Sequence, residues 1–293
     1  MLKMKKIKDA IWILFNGILI GLSMVIPGVS GGTMAMIMGT YERLIDSLSN
    51  FRKHVGASLW VYLWIALGVA IAFLGGSHVI TACLSNFLFP TIMLFVGAII
   101  GGLPMLFKKV KGNKITASCI IPCLVAFVLV IGLVFLNAGN DMDLTNLTVG
   151  KMIALVAGGI MAAAAMVVPG ISGSALLMTF GMYEPIMQQV TFLTTEGADK
   201  GHALAVIGCV FVGCFIGIFG VAKIIDMLLH KFELPTYWAI IGFVIASGIV
   251  IILQNFIMGD YSLAGTGVVQ YIIGIVLAVA AFFGTYKLSE KEE

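Results

Sequence analysis

The sequence predicts an all-α polytopic membrane protein made of two inverted repeats, each a re-entrant helical hairpin followed by three transmembrane helices. Three observations predict this fold: an apolar composition, six long apolar stretches, and a Pro-Gly motif that recurs in both halves. Hydrophobic residues make up 60% of the 293 residues and charged residues only 11%, whereas soluble domains carry about 25% charged residues. The net charge of +3 is too small for a nucleic-acid-binding surface. A water-soluble core and shell are therefore excluded.

Six uninterrupted apolar stretches are long enough to cross about 30 Å of hydrocarbon as helices. Three belong to the first predicted repeat, residues 1–140, and three to the second, residues 141–293, within a single integrated membrane domain. The six predicted spans are 56–82, 89–107, 115–136, 202–229, 237–258 and 267–286.

Two further apolar regions, 10–48 and 149–190, are each interrupted by a Pro-Gly-x-Ser-Gly cluster. Each region is either one kinked crossing or a hairpin that enters and leaves on the same face. With two hairpins, 15 of the 17 Lys and Arg residues share one face and only Lys151 and Lys200 lie on the other; with two single crossings the partition is 7 to 10. Because basic residues concentrate in cytoplasmic loops, the count favours hairpins and places both termini in the cytoplasm.

The two interrupted regions repeat one another. At an offset of 142, residues 24–45 align with residues 166–187 without a gap, and ten of the 22 positions are identical. Each repeat has an odd number of spans after its hairpin, so the second repeat starts from the opposite face. Interrupted segments at matching positions of inverted repeats predict a secondary transporter with its binding site near the membrane midplane.

The two hairpin tips are predicted to bind an anion. Proline ends the incoming helix, glycine permits a positive φ, and the next helix is expected to begin near Gly31 and Gly173 with Ser30 and Ser172 as N-caps. A helix N-terminus inside the membrane offers unpaired amide protons to an anionic ligand. The predicted substrate-binding residues are Gly28, Ser30, Gly31, Gly32 and Thr33 at the first tip, and Gly170, Ser172, Gly173 and Ser174 at the second.

Two repeated carboxylates are candidates for gating or for proton coupling. Glu42 and Glu184 each follow a tyrosine, Tyr41 or Tyr183, and are expected at the far end of the helix that returns from the tip. One interpretation is an interfacial carboxylate beside a tyrosine anchor, and the other is a group that carries a proton or gates an anion path. Arg43 follows the first carboxylate but proline follows the second, so any charge pairing is expected to be asymmetric.

Cysteine and histidine give no pattern of a cofactor or metal site. The five cysteines lie in or at the ends of apolar segments without a CxxC motif, which favours reduced thiols. The four histidines are scattered outside any metal-ligand spacing. We therefore expect neither a metal nor a cofactor.

The paired motifs MVIPGVSGGTMAMIMGTYERLI and MVVPGISGSALLMTFGMYEPIM resemble those of the DUF368 family of bacterial and archaeal membrane proteins. The resemblance implies a polyprenyl-phosphate transporter rather than an enzyme. Members are implicated in returning the carrier lipid undecaprenyl phosphate from the outer to the cytoplasmic leaflet of the cell membrane for envelope synthesis. The leading hypothesis is therefore a translocase that works by alternating access, with polyprenyl phosphate as its partner. The oligomeric state is left open.

Three alternatives remain at this stage: a small-anion or organic-acid carrier, an intramembrane phosphatase acting on polyprenyl diphosphate, and a scaffold without transport. Metal-free phosphate-ester hydrolysis usually uses a His or Cys nucleophile with clustered basic residues. The tips contain neither His nor Cys. The phosphatase is therefore the weakest of the enzymatic and transport hypotheses.

Overall fold

The computed structural model describes residues 2–25, 29–51, 53–136, 141–193, 196–197, 199–257 and 266–290, and these contain helices but no strand. The helices are α1 (Leu2–Val25), α2 (Gly31–Ile37), α3 (Tyr41–Ser49), α4 (Val55–Ile71), α5 (Ser77–Asn86), α6 (Leu88–Val110), α7 (Ala117–Phe135), α8 (Val149–Val167), α9 (Gly173–Thr179), α10 (Tyr183–Phe192), α11 (Lys200–Lys231), α12 (Glu233–Ile252) and α13 (Val268–Glu290). Single π-helical turns, Ala72–Gly76 and Leu253–Ile257, follow α4 and α12.

Seven helical segments of the described chain are long and apolar enough to cross a membrane. The prediction of an all-helical, multi-pass membrane protein is therefore confirmed. All six predicted uninterrupted spans are among the seven, and the additional one is Val149–Val167, which the sequence assigned to half of a hairpin. The seven segments are Val55–Gly76, Leu88–Val110, Ala117–Phe135, Val149–Val167, Lys200–Lys231, Glu233–Ile257 and Val268–Lys287.

The helix bounds of the two halves correspond. The helices α2 and α9 begin at Gly31 and Gly173, as predicted, and each has seven residues. At an offset of 145, the first and last residues of α4–α5 match those of α11.

The segment that returns from each tip is two helices rather than the single helix expected. Gly39 and Gly181 adopt φ values of 71° and 61°, a left-handed conformation that side chains other than glycine rarely adopt. These residues separate α2 from α3 and α9 from α10. The prediction that Glu42 and Glu184 end a returning helix is therefore wrong, because each lies in the first turn of a separate helix.

The first helix of each half packs in parallel against the first helix after its interrupted region. In the first half, a Cβ at Gly17 would lie 2.6 Å from the Ile65 carbonyl oxygen, and one at Gly21 would lie 2.9 Å from Val69 Cα. Later residues of α1 thus contact later residues of α4, so the two helices run in the same direction. Glycines at the crossing allow the two backbones to approach closely, as is usual for helices in lipid.

The second half repeats this crossing. A Cβ at Gly159 would lie 3.0 Å from Gly213 Cα, and one at Gly217 would lie 2.8 Å from the Ile160 carbonyl oxygen. The helices α8 and α11 are therefore parallel as well, with their first residues at the same end of the bundle.

Contacts between the halves interlock them. Helix α6 packs against α13, where a Cβ at Gly97 would lie 2.6 Å from Ala278 Cα. Helix α12 packs against α7, where a Cβ at Gly242 would lie 3.1 Å from Cys123 Cα. The corresponding helices α6 and α12 cross in opposite directions, since Lys109, near the end of α6, lies 5.7 Å from the ring centre of Tyr237, near the start of α12.

These directions define two ends of the bundle. We call face A the end where α6 finishes and α12 begins, and face B the opposite end, where α8 and α11 begin. On face B, the His202 ring lies 2.7 Å from the Leu144 carbonyl oxygen.

All five cysteines are free thiols, as predicted, although only Cys119 is fully buried.

Candidate functional site

The interruptions of the two halves meet inside the bundle. The Gly170 amide donates a buried hydrogen bond of 2.6 Å to the Thr33 hydroxyl. The buried Tyr41 hydroxyl donates to the Val167 carbonyl, 2.8 Å away, at the last residue of α8. A Cβ on Gly170 would lie 2.5 Å from the carbonyl oxygen of Phe243, which places this contact level with the middle of α12.

The polar groups of the first tip are buried within the protein. Ser30 and Thr33 are only 3% and 1% exposed, and Gly31 and Gly32 are buried. Ser30 occupies the N-cap position of α2, as predicted, but forms no capping bond, and its buried hydroxyl has no partner among the described residues. Gly28 lies outside the described residues.

The second tip is open. Gly170 adopts φ 91°, as the motif predicts. Ser172 and Gly173 are half-buried and Ser174 is exposed, and the two serine hydroxyls lie 3.1 Å apart. Two copies of nearly the same motif thus have different environments.

A cavity of about 400 Å³ lies beside the second tip. Its polar lining comes from Gly170–Ser172, Thr179 and Gln254, and its apolar lining includes the end of α7, from Val130 to Leu136. The Gln254 side-chain oxygen is buried without a hydrogen-bond partner in the described chain. Because α7 and α12 both finish at face B, the cavity extends from the tip toward that face.

This cavity combines neutral hydrogen-bonding groups with hydrocarbon. Irregular backbone inside a membrane protein is tolerated where it lines a cavity or is buried in protein. The amides, hydroxyls and carboxamide at one wall can bind an anionic headgroup, while the wall from α7 offers apolar surface. Gln254 was missing from the sequence prediction, although the repeat offset of 145 pairs it with Lys109.

Replacing Thr33 with valine is expected to lower the free energy of unfolding by about 1–3 kcal/mol, because the buried Gly170 amide loses its acceptor. Thr33→Ser keeps the hydroxyl and is the matched control. Thermal unfolding of the purified proteins measures the difference. Equal stability of the valine and serine variants would show that the contact between the tips contributes nothing.

Glu42 lies in a polar cluster on face A. Lys109 forms an ion pair with its carboxylate, 2.9 Å away, and the Tyr237 hydroxyl donates to the same carboxylate. Arg43 pairs with Asp9 instead, through two hydrogen bonds of 2.7 and 2.8 Å. The cluster therefore connects α3 to α6 and α12, and also to α1. The partners Lys109, Tyr237 and Asp9 were missing from the sequence prediction.

The corresponding positions on face B lack this cluster. Glu184 is exposed and has no ion pair within the described residues, and Pro185 replaces Arg43. At the offset of 145, Gln254 takes the place of Lys109 and Ile92 that of Tyr237. Tyr183 is half-buried on α10 and has no counterpart of the Tyr41 bond among the described residues. The expected asymmetry of charge pairing is present.

Glu184 lines a broad cleft of about 1140 Å³ on face B, together with the acidic residues Asp141, Asp143, Glu196 and Asp199. Hydrogen bonds from the hydroxyl and amide of Thr145, and then from Lys151, lower the pKa of Asp143 to about 2. Asp143 is therefore ionised at neutral pH. The cleft therefore places negative charge on face B, the face toward which the cavity at the second tip extends.

Seven segments that are long and apolar enough to cross a membrane define a multi-pass membrane protein, and its two interrupted regions meet at a buried hydrogen bond. The chain belongs to the VCA0040-like family, described as undecaprenyl phosphate translocase-like, which it matches over residues 20–262. The resemblance seen in the sequence is confirmed.

Two curated relatives carry the name polyprenyl-phosphate transporter. The protein from Staphylococcus aureus (strain NCTC 8325 / PS 47) is 30% identical over 276 residues, which cover 92% of this chain and 95% of the relative. The protein from Vibrio cholerae serotype O1 (strain ATCC 39315 / El Tor Inaba N16961) is 26% identical over 251 residues, which cover 79% of this chain and 74% of the relative. No solved structure matches the chain.

Proposed function

We propose that the protein moves polyprenyl phosphate between the leaflets of the cytoplasmic membrane by alternating access. The observation that carries the proposal is the cavity at the second tip, which is lined both by the hydrogen-bonding residues Ser172 and Gln254 and by the apolar end of α7. A phosphate headgroup with a hydrocarbon tail needs both surfaces. The names of the relatives from Staphylococcus aureus and Vibrio cholerae support this substrate.

The proposed topology is two inverted repeats with re-entrant hairpins and face A in the cytoplasm. The parallel packing of α1 with α4, and of α8 with α11, supports it, because each interrupted region must then return to the end where it began. The opposite directions of α6 and α12 support the inversion. The 15-to-2 partition of basic residues supports the cytoplasmic assignment of face A.

The phosphate binds in turn to the two tips in this mechanism. Ser172 and Gln254 donate hydrogen bonds when the cavity is open to face B. The buried hydroxyl of Ser30 has no partner among the described residues, and it receives the phosphate when the first tip opens. The remaining residues of the two motifs, Gly28, Gly31, Gly32, Thr33, Gly170, Gly173 and Ser174, shape the tips and bring backbone amides close to the ligand.

The described conformation corresponds to access from face B. The Glu42–Lys109 ion pair and the Arg43–Asp9 pair hold face A together, while no such pairs occur at the corresponding positions of face B within the described residues. We assign Glu42 and Arg43 to gating, with Tyr41 joining α3 to the end of α8 and Tyr183 in the corresponding position on α10. Glu184 forms no ion pair within the described part of the chain, so it is the carboxylate that we propose for proton coupling.

Translocation of polyprenyl phosphate into proteoliposomes tests this function. The double substitution Ser172→Ala with Gln254→Leu is expected to reduce uptake at subsaturating lipid at least about 10-fold, since hydrogen bonds to a charged group contribute about 1.5–3 kcal/mol each. Gln188→Leu removes an exposed carboxamide outside the tip cavity and serves as the control. Unchanged uptake by the double variant would refute the site. Equal inhibition by inorganic phosphate and by farnesyl phosphate would favour a small-anion carrier instead.

A further inference from the structure

A groove on face A adjoins the first tip and is separate from the cavity proposed for the phosphate. Its inner part has a volume of about 370 Å³ and reaches Gly31 and Gly32. Its outer part has a volume of about 930 Å³ and reaches Lys53 and Lys223. Both parts are lined by Leu48, Phe51 and Phe219, so they adjoin each other, and together we call them the face-A groove.

The inner part of the groove offers only hydrocarbon to a ligand. Two tyrosines line it, but the Tyr41 hydroxyl donates to the Val167 carbonyl at 2.8 Å and the Tyr62 hydroxyl donates to the Leu44 carbonyl at 3.1 Å. Both polar groups are therefore satisfied within the protein. The rest of this wall consists of apolar side chains and of the tip glycines.

Aromatic rings line the outer part. The ring centres of Phe51 and Phe219 lie 6.0 Å apart, and those of Phe215 and Phe219 lie 4.8 Å apart. Phe215 is 60% exposed, which leaves this side of the groove open to the surroundings of α11. A hydrocarbon chain can therefore enter laterally without crossing a polar surface.

The outer end of the groove is basic. Neither Lys53 nor Lys223 has a carboxylate within ion-pair distance in the described chain. Asp226 also lines this part of the groove, but its carboxylate accepts a hydrogen bond of 2.7 Å from Ser49 and lies 3.3 Å from the His230 ring. Lys223 also lies two turns, or about 12 Å, before the end of α11, which is a long apolar helix. An ammonium group at that depth needs an anionic partner or a route to the interface.

We infer that the face-A groove binds the lipid phosphate at the cytoplasmic leaflet, with the phosphate between Lys53 and Lys223 and a single isoprenoid chain along Phe51, Phe215 and Phe219. The inference rests on the proposed function, because it gives the same substrate a second site where it leaves the protein. A terminal phosphate monoester carries about −1.5 to −2 charge at pH 7, which two lysines match. A glycerophospholipid diester carries about half that charge and has two chains, which suit the narrowing groove less well.

Photocrosslinking of the full chain in phosphatidylcholine nanodiscs tests the inference. The probe is an isoprenoid monophosphate with a diazirine in its first isoprene units, and the expected products are cross-links to Phe51, Phe215 or Phe219. The double substitution Lys53→Gln with Lys223→Gln is expected to weaken binding about 30-fold, because each basic residue near the surface contributes a factor of about five. Lys111→Gln with Lys114→Gln removes the same charge from exposed positions of face A outside the groove and is expected to leave binding unchanged.

Two results would overturn the inference. One is equal binding by the groove variant and the control pair, and the other is displacement of the probe by phosphatidylglycerol as effectively as by unlabelled isoprenoid monophosphate. The second result would identify a general anionic-lipid site. Because cross-linking needs no translocation, a wild-type protein that cross-links at the groove but moves no lipid would refute the proposed function while supporting the groove site.

Discussion

Replacing Gly213 with valine is expected to prevent the protein from folding stably. Gly213 packs against α8, where a side-chain Cβ would overlap the Val156 carbonyl oxygen and lie 3.0 Å from Gly159 Cα. Both obstacles are backbone atoms of a packed helix, so no rotamer change relieves the clash. Overpacking typically costs about 1–3 kcal/mol even where side chains can adjust, and we expect at least about 3 kcal/mol here.

The control for this prediction lies on the same helix. A Cβ at Gly208 would meet no atom within 4 Å, so Gly208→Val adds the same side chain to α11 without a clash. Thermal unfolding is expected to show a Tm at least about 6 °C lower for Gly213→Val, accompanied by low yield in gel filtration, and little change for Gly208→Val. If both variants behave like the wild type, the close crossing of α8 and α11 is refuted.

Reversing the charge of Lys109 is expected to abolish most transport while leaving the fold intact. Lys109→Glu places a carboxylate beside Glu42, in the position where the ammonium group now lies 2.9 Å from it. Like charges about 4 Å apart at a partly exposed site repel by roughly 1–4 kcal/mol, so face A is held open and the cycle is blocked. We expect uptake of polyprenyl phosphate to fall more than about 10-fold, since a few kcal/mol displaces a two-state equilibrium by that much.

The stability of the variants distinguishes a gate from a contact that only holds the fold together. The paired side chains are 39% and 48% exposed, and such ion pairs contribute at most about 1 kcal/mol to stability. The charge swap Glu42→Lys with Lys109→Glu should recover part of the uptake, whereas Lys111→Glu, on the same face and exposed, should have no effect. Full uptake by Lys109→Glu alone, or no recovery by the swap in a folded protein, would refute the gate.

The helical framework could largely be predicted from the sequence. Apolar stretches identified six of the seven spans, and the repeated motif correctly predicted where α2 and α9 begin. These features depend on local chemistry, namely hydrophobic length and the break imposed by Pro-Gly. The division of the segment after each tip into two helices was missed, because an apolar run that contains one glycine does not reveal whether Gly39 or Gly181 adopts a positive φ.

The partners of the candidate site could not be predicted in this way. Glu42 was identified by its repetition, but its contacts with Lys109 and Tyr237 join residues 67 and 195 positions away. Gln254 had no motif of its own, and only its place in the cavity identifies it. A repeat offset indicates which positions are equivalent, but it does not indicate which equivalent residues touch.

The sequence by itself determined that this is a helical membrane protein with two copies of an interrupted apolar region, because composition and the length of apolar stretches report directly on burial in lipid. Only the tertiary structure decided how the surroundings of the two copies differ. The Gly170 amide donates to Thr33, which is buried in the first tip, while Ser172 of the second tip lines a cavity. The physical reason is that the face-A ion pairs and the packing of α7 against α12 are long-range contacts, and these set which of two similar motifs a ligand can reach.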